Sequence, residues 1–115
     1  MTTDVNFELA ENERNGLPVL AVRGEVDVST APELRERLLG LAEQGRTVAV
    51  VDLSEVSFVD STALGVLVSG VKRLRTAGGD LRLVITQPHI TKVFEITGLT
   101  EVFPIFASAD EAVAG

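Results

Sequence analysis

The sequence runs to 115 residues, 45% apolar and 23% charged, enough for one domain with a real core and unlike a disordered chain. Ten basic against seventeen acidic residues leave a formal charge of −7, which repels phosphate backbones and argues against direct nucleic-acid binding. With no cysteine, disulfides, thiolate metal sites and cysteine catalysis are excluded.

The opening stretch MTTDVNFELAENERNG lacks a basic start followed by an apolar core, so it does not read as a secretory signal. No apolar run reaches the ~18 residues that a membrane-spanning helix needs. The expectation is a cytoplasmic protein with no membrane contact, a single domain over residues 1–115 with its core at about 5–113. VNFELAE alternates as a strand does, LPVLAVRGEV follows the turn ERNG as a second, and together they read as a hairpin.

TAPELRERLLGLAEQG carries helix signals from end to end. Thr30 and Glu33 have capping-box spacing, and Pro32 sits in the first turn, where no backbone donor is lost. Leu34, Leu38 and Leu41 share a face, and Gly45 stands where a left-handed cap belongs. TVAVVDL is a continuous apolar run, the mark of a strand covered on both faces, and SEVSF reads as the turn after it. STALGVLVSGVKRLRTAGG places Leu64, Leu67, Val68, Val71 and Leu74 at helical spacing and stops at Gly78-Gly79. DLRLVI is a strand, and QPHITKVFEITG is a helix between Pro88 and Gly98. EVFPIF is a short strand at an edge, because Pro104 cannot donate to a ladder, and SADEAVAG closes with a capping-box start at Ser108 and Glu111. The order β-β-α-β-α-β-α-β-α predicts an α/β fold with a mixed sheet of about five strands, antiparallel only at the hairpin.

Ligands of such sheets gather where strands end and helices begin. Two polar clusters stand at such exits, Asp60-Ser61-Thr62 and Asp27-Val28-Ser29-Thr30. Both have a plain reading as helix caps, since Asp and Ser side chains accept from orphan amides one turn on. The helix after Asp60 adds a second reading. Its early positions Ala63, Gly65, Val66, Ser69 and Gly70 are small or apolar, and no charge appears before Lys72. Such a face suits either docking or burial on both sides. In a sheet with parallel neighbours the two clusters fall on one edge, as a single acidic, hydroxyl-bearing surface.

An enzyme is poorly supplied. The lone histidine, His89, builds no Ser/His/Asp constellation, and Gly78-Gly79-Asp80 matches no phosphate-binding spacing. Asp27, Asp52 and Asp60 are the carboxylates open to acid/base work or magnesium, with Asp52 better placed to cap a turn. The expectation is no catalysis, no cofactor and no metal site.

GEVDVSTAPELRERL, VVDLSEVSFVDSTALGVLV and ITKVFEITGLTEVFPIF together resemble bacterial anti-sigma factor antagonists of the STAS-domain family, over nearly the whole chain. The resemblance implies a mixed sheet with four helices packed mainly on one face. It also implies a phosphorylatable serine, here Ser61, with Thr62 beside it as the lesser candidate. Ala63 stands where some members have glycine. In that family an anti-sigma factor that is also a serine kinase modifies this serine, and a serine phosphatase resets it. The unmodified form binds the anti-sigma factor and frees the sigma factor. Asp27 matches the aspartate that meets the kinase or its nucleotide, and Ser29, Thr30, Asp60, Thr62, Val66, Ser69 and Gly70 complete the expected partner surface. The alternatives are a STAS-type module of a stress-signalling scaffold or transporter accessory complex and, more distantly, a small hydrolase using Ser61 or the carboxylates.

Overall fold

The computed structural model describes residues 6–115; Val5, where the first predicted strand begins, lies outside them. Asn15 and Gly16 both take positive φ, 54° and 78°, the pair a two-residue type I′ turn requires. The turn folds β1 (Phe7–Arg14) back on β2 (Leu17–Val26), antiparallel from Arg14↔Leu17 to Phe7↔Gly24. From there every strand follows a helical crossover: α1 (Ala31–Glu43), β3 (Val48–Val59), α2 (Ser61–Thr76), β4 (Asp80–Val84) and α3 (Pro88–Ile96). A 3₁₀ turn at Leu99–Glu101 leads to β5 (Ile105–Phe106), and α4 (Ala109–Ala114) ends the chain. The sheet runs β1-β2-β3-β4-β5, parallel from β2 onward, with the last strand at the edge as expected but limited to Ile105–Phe106, after Pro104 rather than through it.

The helical periodicities translate directly into burial. Leu34, Leu38 and Leu41 of α1 and Leu67, Val71 and Leu74 of α2 close over one face of the sheet, on Leu20, Val22, Val51 and Leu83. Each fully buried leucine contributes about 1.5–3 kcal/mol. Ile90 and Phe94 of α3 join the same core. α4 alone takes the opposite face, where Ala112 meets Val19, Val50 and Val84. The helices thus lie mainly on one side, with one short exception.

Two predicted details differ. Thr30 makes no side-chain cap on α1, and the Thr30–Glu33 box does not form. The hydroxyl is turned instead into the loop before the helix. SEVSF is not a turn, because β3 continues through it to Val59. Between Ala21↔Asp52 and Arg23↔Glu55, β2 advances two residues while β3 advances three, and a second extra residue follows between Gly24↔Val56 and Glu25↔Phe58. These are bulges. They break the alternation along a strand that stays paired, so its polar residues imitate a turn. Asp52 supports the first bulge by accepting from the Ser54 amide at 3.0 Å.

Candidate functional site: two junctions at one sheet edge

β2 and β3 end side by side at Val26↔Val59, and the Asp60 amide donates to the Val26 carbonyl at 3.2 Å. The loops that lead into α1 and α2 therefore emerge from the same edge, as parallel pairing demands. What each loop does with its carboxylate and hydroxyl differs.

At the first junction, Asp27 Oδ1 accepts from the amides of Ser29 at 2.9 Å and Thr30 at 3.1 Å. Thr30 Oγ1 accepts from the Asp27 amide at 2.9 Å and lies 3.0 Å from the Glu25 carbonyl and 3.2 Å from Asp27 Oδ1. It is 8% exposed, and its bonding needs are met inside the loop. Of the first cluster, Ser29 and Val28 are exposed and Asp27 is half-buried, whereas Thr30 is buried and holds the loop together.

At the second junction, Asp60 is extended (φ −110°, ψ −176°) and caps α2 through Oδ1, which accepts from the Ala63 amide at 2.9 Å. Its Oδ2 accepts from the Val28 amide at 3.1 Å. One carboxylate thus ties the two junctions together. Sequence reasoning missed that bond; the only signal was an aspartate at the end of each of two adjacent parallel strands.

Ser61 opens α2. It is exposed, and its hydroxyl has no hydrogen-bond partner among the described residues. Thr62 beside it is exposed, while Ala63 is buried, so the small residue at that position faces the core. Along the same helix Gly65 and Ser69 are exposed and Val66 is half-buried. Gly70 is a correction. It is buried between the helices, where an added Cβ would come within 3.0 Å of Leu38 Cδ1, so it serves helix packing and offers a partner no side chain, only the floor of the gap between α1 and α2.

Sequence reading also passed over two apolar side chains at this edge. Val28 is 67% exposed and Phe58 48%, against a core in which most apolar residues are fully covered. Val28 hid inside a polar loop, and Phe58 inside a presumed turn.

The remaining candidates separate. His89 Nε2 lies 2.7 Å from the Ser57 carbonyl and pins the bulged end of β3 to α3. Among the described residues, no three His, Cys, Asp or Glu side chains converge as a metal site, and no helix is long and apolar enough to cross a membrane.

Comparison with known proteins adds a consistent frame. A family model described as the STAS domain matches residues 7–112. An anti-sigma-B factor antagonist of Bacillus subtilis is 39% identical over 110 residues, spanning 96% of this chain and 98% of its own length. The crystal structure of an anti-sigma factor antagonist from Mycobacterium paratuberculosis is similar with a TM-score of 0.87 and 26% identity, covering 99% of this chain and 97% of that one. The Bacillus cell fate determinant SpoIIAA, solved in its phosphorylated form, is similar with a TM-score of 0.71 and 26% identity, over 94% of this chain and 96% of that one.

Proposed function

The chain belongs to the STAS-domain family, and from that membership we propose that it is an anti-sigma factor antagonist whose binding is switched by phosphorylation of Ser61. The unmodified chain binds an anti-sigma factor that is also a serine kinase, and so releases the sigma factor that kinase holds. Transfer of the γ-phosphoryl of ATP forms the Ser61 Oγ–P bond, breaks the bridging P–O bond, and yields ADP and the hydroxyl proton. A serine phosphatase reverses the state.

The observation that carries this reading is the exposed Ser61 hydroxyl at the first position of α2, without a hydrogen-bond partner among the described residues, beside an Asp60 whose two oxygens are already occupied. A phosphate brings about −1.5 to −2 charges at neutral pH. At a helix start the orphan amides and the dipole accept that charge, so the fold survives it. At a contact with a partner the same charge stands next to Asp60, amid small and apolar groups. Desolvating it there costs several kcal/mol. Docking is blocked while folding is spared, which is what a reversible switch requires. Asp27, Ser29, Asp60, Thr62, Val66 and Ser69 form the proposed contact surface around the acceptor, and the likeness to SpoIIAA, which exists in a phosphorylated form, supports the same reading.

The test is to incubate the chain with ATP and the host's anti-sigma kinase, map the phosphosite by mass spectrometry, and measure binding before and after. Modification at Ser61 with loss of binding is expected. A complex that forms equally well with the phosphorylated chain would overturn the switch.

A further inference from the structure

Beyond the junctions, the outer side of α1 and α2 holds a groove of about 80 Å³ lined by Arg35, Leu38, Leu39, Val66, Ser69 and Gly70. Gly70 shapes it, since α2 settles against Leu38 and no side chain fills the floor. One water needs about 10–15 Å³ of such space, so the groove has room for a few waters or for the end of one aliphatic side chain. The groove shares a helix face with the proposed acceptor. Ser61, Gly65 and Ser69 follow one another at four-residue spacing along a single face of α2, about 12 Å from first to last.

Arg35 stands at the rim. Arg14, Arg23, Arg37, Arg46 and Arg75 each meet a carboxylate within 4 Å. Arg73 lies in the last turn of α2, where the helix dipole favours a cation. Arg35 has neither reason to be where it is. It lies in the N-terminal half of α1, is exposed, and has no carboxylate partner among the described residues. In a chain of charge −7, it borders the one helix face that carries no charge before Lys72.

We infer that this groove is the second half of the docking surface, taking a segment of the anti-sigma factor that lays an aliphatic side chain over Leu39 and Val66 and sets a carboxylate against Arg35. The inference rests on the functional reading above. It gives the contact a polarity. Basic groups of the partner face Asp27 and Asp60 at one end, and an acidic group faces Arg35 about two turns along, so the partner sits in one direction only.

The experiment measures association and dissociation of the purified host anti-sigma factor with the wild-type chain, its Ser61-phosphorylated form, and variants at Arg35 and Leu39. Arg35→Glu should slow association at least tenfold at low salt, with Arg35→Gln intermediate and Arg35→Lys close to the parent. The gap should close at about 1 M salt, where the Debye length is about 3 Å. Leu39→Ser should leave association alone and speed dissociation several-fold. Circular dichroism checks that each variant folds; should Arg35→Glu not fold, Arg35→Gln and the salt series decide. If Arg35→Glu associates like the parent while phosphorylation still abolishes binding, the inference falls and the functional reading stands. If phosphorylation leaves binding unchanged, the reading falls and takes the inference with it.

Discussion

The two strand-to-helix junctions are built from the same residue types at equivalent places in the sheet, and they use them in opposite ways. At the α1 junction the threonine lies three residues after the aspartate, and the loop folds its hydroxyl inward, onto Asp27 and the Glu25 carbonyl. At the α2 junction the serine follows the aspartate directly, and its hydroxyl is left outside while Asp60 alone does the capping. A hydroxyl three positions on can close a loop; one next to the carboxylate at a helix start cannot reach back. Spacing from the aspartate therefore separates a structural hydroxyl from an available one. Composition does not.

The sharpest way to break this contrast is to remove each hydroxyl. Ser61→Ala should abolish phosphorylation by the cognate kinase while stability stays within about 0.5 kcal/mol, the range of a surface change that disturbs nothing. Quantitative phosphorylation of that variant at Thr62 would transfer the acceptor role one residue along. Thr30→Val should do the reverse. It leaves the Asp27 amide and Glu25 carbonyl short of a partner beside the buried Thr30 side chain in a half-buried loop, at a cost of about 1–3 kcal/mol in denaturant unfolding. The Val variant should still be phosphorylated at Ser61. A Thr30→Val chain as stable as the parent would mean the inward hydroxyl holds nothing.

How far the sequence leads follows from the same contrast. Periodicity in α1 and α2 exposes the core because it reports burial, and Gly45 and Gly78 end those helices at positive φ because only glycine is at ease there. Burial by itself does not name the neighbour. Gly70 reads as a docking position from α2 alone, and only the approach of Leu38 from α1 makes it core. The Asp60–Val28 bond joins residues 32 apart, so no local spacing announces it. The β3 bulges mislead for a related reason: two extra residues shift the inside–outside pattern without ending the strand.

Next in size is the uncharged face that continues from the α2 junction and has no counterpart at α1. Ser69→Arg should weaken partner binding more than tenfold, or over about 1.4 kcal/mol, with an unchanged circular-dichroism spectrum. Ser69 is exposed, so the new side chain has room and the fold has no reason to suffer. Equal affinity in a folded variant would place the interface away from α2.

The smallest expected effect on binding, and the most discriminating, is at Asp27. Its Oδ1 receives both loop amides and lies near the Thr30 hydroxyl, while Oδ2 has no hydrogen-bond partner among the described residues. Asn at this position keeps a carbonyl oxygen for the two amides, since Asn caps about as well as Asp. What it removes is the charge, and what it alters is the free corner of the side chain. Asp27→Asn should therefore hold stability to within about 1 kcal/mol, no more than the loss of a typical cap. If the charge meets a basic group or a nucleotide-bound metal of the kinase, phosphorylation of Ser61 should slow and the complex should weaken in the same variant. Asp27→Ala does not separate these effects, because it deletes loop acceptor and charge together. An Asn variant phosphorylated and bound like the parent would make the α1 junction purely structural, and the contrast between the two junctions complete.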